Sequence, residues 1–327
     1  MLSRVGLLLS SCLVLAASAQ AQVLRLAEMN TAQIRALDRS KTVVFLTGGM
    51  MEEHGPYLPA FTDGILSERL TGELLKAFTE KKPGWTALVL PAINVGASGY
   101  NEFGGHYVFP GTYAARPSTL RSLFMDLAED LGEQGFRGIF VVHVHGSPHH
   151  IGALDDAGDY FRDTYGGQMV NLWGLVPVLG GWGRALATLS DAVKKEEGAS
   201  FHAGMDEHSL MLYLRPDLVA PGYKSAPVVT GATPQASVDV ARRPDWPGYL
   251  GSPRLATAEI GERIWTAFAS AAVDHMVKIL DGAEPRQFPR YADLLRKNPL
   301  FEEWIKTGEA RDAERRARQQ EWLAKRR

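Results

Sequence analysis

Three short apolar runs constrain the fold of this chain more than any other feature. TVVFLT (Thr42 to Thr47), TALVLP (Thr86 to Pro91) and GIFVVHV (Gly138 to Val144) are continuous rather than alternating, the pattern of strands buried on both faces. Helical periods separate them. Leu120, Leu123, Phe124, Leu127 and Leu131 recur at helical spacing before the stop signals Gly132 and Gly135. Amphipathic segments also run from about Ile65 to Phe78 and from about Ala256 to Leu280. This alternation predicts a layered α/β domain with a mainly parallel central sheet flanked by helices. Such a sheet gathers functional groups on the loops at the carboxyl ends of its strands.

Those loops hold an unusual share of the ionisable groups. MEEHGPYLPAFTD (Met51 to Asp63) follows the first strand and places Glu52 and His54 two residues apart, on one side of an extended segment, with Asp63 at the start of the next helix. VVHVHGSPHH places His143, His145, His149 and His150 at the end of the third strand, and SFHAGMDEHS places His202, Asp206, Glu207 and His208 where a small-residue turn enters a helix. Of the 9 histidines, His106 and His275 alone lie elsewhere. One Glu/His/Asp loop is consistent with a solvated turn. Three loops supplying imidazole and carboxylate together describe a site for a divalent transition metal, Zn²⁺, Mn²⁺ or Fe²⁺, and a carboxylate able to bridge suggests two ions per chain.

Composition narrows the class. With 35 basic against 37 acidic residues, the chain has no electrostatic signature of a nucleic-acid binder. Met1 to Ala21 reads as a secretory signal peptide, with Arg4, an apolar stretch from Val5 to Ala17 and the small-residue pattern Ala19-Gln20-Ala21; it is too short for a stable membrane span. The mature chain is then expected to begin near Gln22 and to be secreted or periplasmic, the alternative being a lipoprotein acylated on Cys12. Cys12 is the chain's single cysteine, so the folded domain has no disulfide and any metal in it is held by nitrogen and oxygen. The remaining length suits one large domain or two modest ones.

These motifs resemble the creatininase (creatinine amidohydrolase) family over about Val43 to Ile279. The likeness rests on EEHGPYLPAFTD, for the family's E-x-H-G-x-H-L-P-x-x-T-D, and on HAGMDEHS, similar to H-A-G-x-x-E-T-S. FPGTY (Phe109 to Tyr113), His145-Gly146 after a hydrophobic strand and GYLGSPRLATAEIGERI support it. The resemblance implies a creatininase-like single α/β domain over residues 22–284, with a two-metal centre that hydrolyses C–N bonds of cyclic or linear amides, so the expected substrate is a small-molecule amide. It implies Glu52, His54, Asp63 and His145 as metal ligands with Asp63 bridging, Glu207 as a fifth, and His202 as the catalytic proton donor. The chemistry suits that assignment: coordination lowers the pKa of water from about 15.7 towards ~7, giving a metal-bound hydroxide as nucleophile, and an imidazole near pKa ~6.5 can protonate the leaving nitrogen. The family also commonly forms closed homo-oligomers, often hexamers, and a homo-oligomer is expected here.

Several positions depart from the pattern. Tyr57 replaces the second histidine of the first motif, Ser147 stands where creatininases have a glutamate two residues beyond the metal-binding histidine, and His208 replaces threonine. Either Glu207 or a histidine such as His143 or His149 then completes the second metal shell, or one metal alone binds tightly; His208 adds a further donor. These changes weaken creatinine as substrate more than they weaken metal-dependent hydrolysis. They keep two alternatives open, a noncatalytic metal-binding or assembly protein on a degenerate scaffold and a metal-dependent ester or phosphoester hydrolase. Trp173 and Trp182 read as core or pocket wall, Asp155, Asp156 and Asp159 as a cation site or a polar face, and His106 as a pocket group or a support behind the ligands. Residues 285–327 form a charged C-terminal extension with helical propensity, which one reading makes a solvated tail. Leu294, Leu295, Leu300, Phe301, Trp304 and Ile305 are too many apolar residues for that. About Tyr291 to Ile305 is therefore expected to pack on its own domain or a neighbour, leaving the Arg-rich end from Arg311 exposed.

Overall fold

The computed structural model describes residues 20–326, so the sequence-predicted signal peptide, apart from Gln20 and Ala21, lies outside the described residues. One parallel sheet runs in the order β1-β3-β2-β4-β5, with β1 Gln22–Arg25, β2 Thr42–Gly48, β3 Thr86–Val89, β4 Gly138–His143 and β5 Gln168–Asn171. The three apolar runs are its central strands. The edge strands β1 and β5, four residues each, are additions to the sequence reading.

Alternate residues of a strand face opposite ways. Val43 and Phe45 of β2, with Phe140 and Val142 of β4, pack against Leu66, Leu70 and Phe78 of the helix Thr62–Lys81 and Ile264 and Phe268 of the helix Ala258–Leu280. Val44 and Leu46, with Ile139 and Val141, pack on the other side against Leu120 and Phe124 of the helix Pro117–Glu133 and Leu154 and Phe161 of the helix Pro148–Tyr165. Burying each such side chain contributes roughly 1.5–3 kcal/mol. The sheet is thus clamped from both faces, which fixes the position of its strand ends.

β2 and β4 are neighbours, registered from Val43↔Gly138 to Gly48↔His143. The chain leaves β2 through a helix on one face to reach β3, and leaves β4 through a helix on the opposite face to reach β5. Their carboxyl ends therefore flank a crevice at a topological switch point, the place where open parallel sheets bind ligands.

The chain closes with the helices Tyr291–Lys297 and Pro299–Ala324. Leu295, Phe301 and Trp304 are buried in the first core, whereas Leu294 is exposed. The Arg-rich end corrects the expectation drawn from sequence, because its first turn also docks. Arg311 lies over the Tyr107 ring at 3.8 Å, the Asp312 carboxylate accepts from Ser118 N–H at 2.8 Å, and unbroken exposure begins only at Arg316. Trp304, Gly308, Arg311, Asp312 and Arg315 share one face by helical periodicity, so burial of the first carries the next turns onto the domain. Asp159 and Asp156 pair with arginines: Asp159 with Arg286 and Arg290, Asp156 with Arg121. None of the described helices is long and apolar enough to cross a membrane.

Candidate metal centre

Three segments meet at the crevice. After β2 the chain turns back on the helix Thr62–Lys81 so closely that a Cβ on Gly49 would lie 2.6 Å from Gly64 Cα, and this approach, open only to glycine, sets Asp63 beneath the loop. Glu52 N–H donates to the Ala60 carbonyl (2.9 Å) and Glu53 N–H to Thr112 Oγ1 (3.0 Å), fixing the loop's backbone. Ser67 ties in the second segment: its hydroxyl donates to the Asp63 carbonyl and accepts from Val144 N–H, both at 2.8 Å, which registers His145 against Asp63. The third segment is the turn before the helix Met205–Leu214. The Glu197 carboxylate accepts from Met205 N–H (2.9 Å) and Ser252 N–H (2.6 Å), and Leu250 N–H donates to the His202 carbonyl (2.8 Å). Ala203 adopts the left-handed region at φ 48° and directs its N–H onto the Glu207 carboxylate. That conformation costs a non-glycine residue of order 1–3 kcal/mol, and the braced turn holds it.

The fold brings together all six residues that the family resemblance implies as ligands or proton donor. Glu52, Asp63 and His145 form one group and His54, Asp63 and Glu207 another, each offering ligand atoms within 4.8 Å of one another. Asp63 belongs to both, as a bridging carboxylate must. His145 Nδ1 lies 3.0 Å from Glu52 Oε2 and 2.9 Å from Asp63 Oδ2; His54 Nε2 lies 3.4 Å from Asp63 Oδ1 and 3.8 Å from Glu207 Oε1. His202 stands at the edge, its Nδ1 4.0 Å from Glu52 Oε1, and makes a third group of this kind with Glu52 and His54.

The hydrogen bonds around the rings fit metal ligation. His145 Nε2–H donates to the Ser98 carbonyl and His54 Nδ1–H to the Glu52 carbonyl, each at 3.1 Å. Each ring thus turns its lone pair on the carboxylates, which is how backbone partners orient metal-binding histidines. His54 Nε2 is buried without a hydrogen-bond partner, a costly state that a cation between Asp63 and Glu207 relieves. Burial disfavours charge on His54 and on His145, yet the carboxylates of Asp63, Glu207 and Glu52 outweigh it and raise both imidazole pKa values well above the ordinary one. Burial likewise opposes ionisation of Asp63, but His145 and His54 hold its carboxyl below the usual range. A pocket that attracts protons this strongly attracts a divalent cation for the same electrostatic reason.

His202 Nε2 lies 2.6 Å from the Glu53 carbonyl oxygen and 3.3 Å from Glu53 Oε1. Burial opposes its charge, but Glu53 and then Glu52 push its pKa up to about 9. The Tyr100 ring stacks on it at 5.1 Å, and Tyr100 N–H donates to the Glu52 carboxylate. Neither Glu53 nor Tyr100 emerges from the sequence reading as a site residue. The available signal for Glu53 was its place beside Glu52; Tyr100 offered none.

The other histidines have different work. His143 follows the alternation of Ile139 and Val141 onto the Phe124 face, where burial and then the neighbouring His145 lower its pKa to about 3. His149 Nε2–H donates to the Ile305 carbonyl (3.0 Å), holding the C-terminal helix, and His208 Nδ1–H donates to the Gly204 carbonyl (2.9 Å) between the rings of Tyr57 and Tyr223. Among the described residues, then, Glu207 groups with His54 and Asp63, while His143, His149 and His208 do not. Ser147 caps the helix Pro148–Tyr165 by accepting from His150 N–H (3.4 Å), Tyr57 packs against Tyr249, and His106 stacks on Trp246. Trp173 and Trp182 serve both roles considered for them, packing on Phe268 while lining the cavity of about 280 Å³ into which the centre opens.

Comparison with known proteins places this geometry in context. A family model described as creatininase, creatinine amidohydrolase, matches residues 27–276. The chain is 27% identical over 252 residues to the mycofactocin precursor peptide peptidase of Mycolicibacterium smegmatis, covering 76% of this chain and 90% of that protein. It is 28% identical over 230 residues to the creatinine amidohydrolase of Pseudomonas putida, covering 68% and 84%. Among solved structures, a creatinine amidohydrolase (creatininase) superposes with a TM-score of 0.57 at 24% identity, over 80% of this chain and 99% of that one. A manganese creatininase gives 0.56 at 23%, over 79% and 98%. At such identities the superpositions speak for the fold.

Proposed function

The chain belongs to the creatininase family, and on that premise we propose that it is an exported amidohydrolase cleaving a C–N bond of a small cyclic or linear amide at a centre for two divalent transition metals. The observation that carries the reading is His54 Nε2, buried without a partner and turned on Asp63 and Glu207 by the hydrogen bond at Nδ1. Glu52, Asp63 and His145 would hold one ion and His54, Asp63 and Glu207 the other, Glu207 standing in for the glutamate that Ser147 replaces. Zinc and manganese forms are known among the creatininase structures the fold resembles. When bound, such ions supply an acidified water and a Lewis acid for the amide carbonyl.

The chain's own residues do the rest. His202 is kept protonated at neutral pH by Glu53 and Glu52. Its Nε2–H is held on the Glu53 carbonyl, and Nδ1, the nitrogen on the Glu52 side, hands its proton to the leaving nitrogen. The aromatic walls bind the organic part of the substrate and exclude bulk water, which strengthens every charge interaction inside. Export rests on the signal-peptide pattern of Met1 to Ala21.

A second reading, cleavage of a peptide bond, is favoured by the likeness to mycofactocin precursor peptide peptidases. Zinc- or manganese-loaded protein assayed against lactams, linear amides, short peptides and phosphoesters separates these. Turnover of lactams or linear amides is expected. Peptide turnover alone would favour the second reading, and turnover of phosphoesters alone, or none at full metal content, would overturn both.

A further inference from the structure

The C-terminal extension lies beyond the matched family segment, residues 27–276, yet it forms part of the cavity. Tyr291, Phe301 and Trp304 line it together with Trp173, Trp182 and Phe201. Trp304 and Phe301 are buried and both stack on Phe103, at 4.8 and 5.2 Å, each 18° from parallel. Trp304 also meets the edge of Tyr100, the ring stacked on His202. One aromatic stack therefore reaches from the extension to the proposed proton donor.

The docking is specific to these residues. His149 donates to the Ile305 carbonyl at 3.0 Å, and a Cβ on Gly308 would stand 2.2 Å from the His149 ring, so the helix can lie this close only with glycine there. Tyr291 N–H donates to the Gly174 carbonyl (2.8 Å), and Arg290 pairs with Asp159 through two bonds of 2.7 and 2.8 Å. A solvated tail makes no such set of contacts.

The lining also says what fits. None of the described residues around the cavity is lysine or arginine, so away from the metal-binding side and His202 the lining offers no cation to recognise a carboxylate. The acidic groups gather at the metal-binding side and at Asp206, which Trp182 Nε1–H engages at 3.0 Å. Much of the remaining lining is aromatic. At about 280 Å³ the cavity sits at the small end of ligand pockets.

We propose that the segment from Tyr291 to Trp304 is the specificity wall of this site, selecting uncharged amides that carry one aromatic ring beside the scissile bond. The assignment rests on the amidohydrolase reading for its chemistry but not for its binding. The test compares phenylacetamide, acetamide and the anionic amide succinamate with the full-length, zinc-loaded protein and its Trp304→Ala, Trp304→Phe and Phe301→Leu variants. Wild type should prefer phenylacetamide over acetamide in kcat/KM by roughly ten- to a hundredfold, the worth of burying one ring, and should discriminate against succinamate. Trp304→Ala should bring that ratio to within about threefold by raising KM for phenylacetamide alone, while Trp304→Phe keeps most of it.

An unchanged ratio, or an equal loss on both neutral amides, would overturn the proposal, the latter showing that Trp304 only supports His202 through Tyr100. If no amide is turned over, the amidohydrolase reading fails and calorimetric binding of phenylacetamide decides the wall. Binding at least tenfold weaker in Trp304→Ala supports it, and no binding to wild type, or equal binding to both, overturns it. Should Trp304→Ala not fold, Trp304→Phe and Phe301→Leu carry the comparison, with a partial fall in the ratio expected and none overturning.

Discussion

His202 Nε2 lies 2.6 Å from the carbonyl oxygen of Glu53 and 3.3 Å from its carboxylate, although 149 positions separate the two in sequence. The pair sets a pH dependence. Because the pKa of His202 is raised, to about 9, the imidazolium survives well above the ordinary ~6.5, and activity that needs it should fall only as pH passes about 9. Glu53→Gln removes the largest raising influence, so the basic limb of kcat should move to lower pH. By linkage, the stability that the pair contributes is complete below ~6.5 and disappears as pH rises through about 9. A kcat–pH profile whose basic limb is the same in wild type and Glu53→Gln would separate His202 from the proton transfer.

Removing His202 altogether tests chemistry against binding. His202→Ala should keep its metal while turnover drops roughly 10²- to 10⁴-fold, the range for a general acid. Metal analysis and kcat on one sample decide it, and parallel loss of metal would make His202 a ligand.

The bridging role proposed for Asp63 predicts a different signature. Purified protein should carry between one and two transition-metal ions per chain, one for each of the two ligand groups that share Asp63. Asp63→Ala should lose most of both, and Glu207→Gln most of one. His149→Ala, which touches the C-terminal helix rather than the centre, should keep its content. Full metal in Asp63→Ala by elemental analysis would remove the bridge.

Much of this was legible in the sequence because strand ends are. Continuous apolar runs marked β2, β3 and β4, and costly groups directly after β2 and β4 pointed to the crevice where Glu52, His54, Asp63 and His145 meet. β1 and β5 escaped because four residues at a sheet edge carry almost no periodic signal. The choice among Glu207, His143 and His149 stayed open for a tertiary reason. It depends on which face of β4 His143 takes and on the C-terminal helix that engages His149, and local pattern reports neither distant partner. Glu53 was hidden likewise, since its meaning comes from His202.

Processing makes an independent prediction. Gln22 is the first residue of β1 and pairs with Thr86, so cleavage before Gln20 or Gln22 leaves the edge strand whole. Intact-mass analysis of material from the native export route should find a soluble chain beginning at one of those residues. An acylated Cys12 would replace the soluble product with a lipoprotein, and a cytoplasmic chain retaining Met1 to Ala21 would defeat both.

The last prediction weighs the C-terminal extension as structure. Leu295, Phe301 and Trp304 are almost fully buried, at 3%, 7% and 6% exposure, and each such side chain contributes roughly 1.5–3 kcal/mol on burial. Part of that is offset by the entropy of ordering the segment itself, leaving a net loss of about 2–4 kcal/mol on truncation after Gly282. At roughly 2–4 °C per kcal/mol for a domain of this size, the melting temperature should fall by about 5–15 °C. The proposed metal ligands all precede the cut, so metal content should persist. Light scattering adds the question of assembly: a homo-oligomer is our proposal for the intact protein, and because the extension packs on its own chain, the truncated protein should keep the same number of subunits. A changed number of subunits would move part of the extension's contacts to a neighbouring subunit. An unchanged melting temperature together with an unchanged number of subunits would make residues 283–327 a dispensable tail, contrary to the buried Trp304.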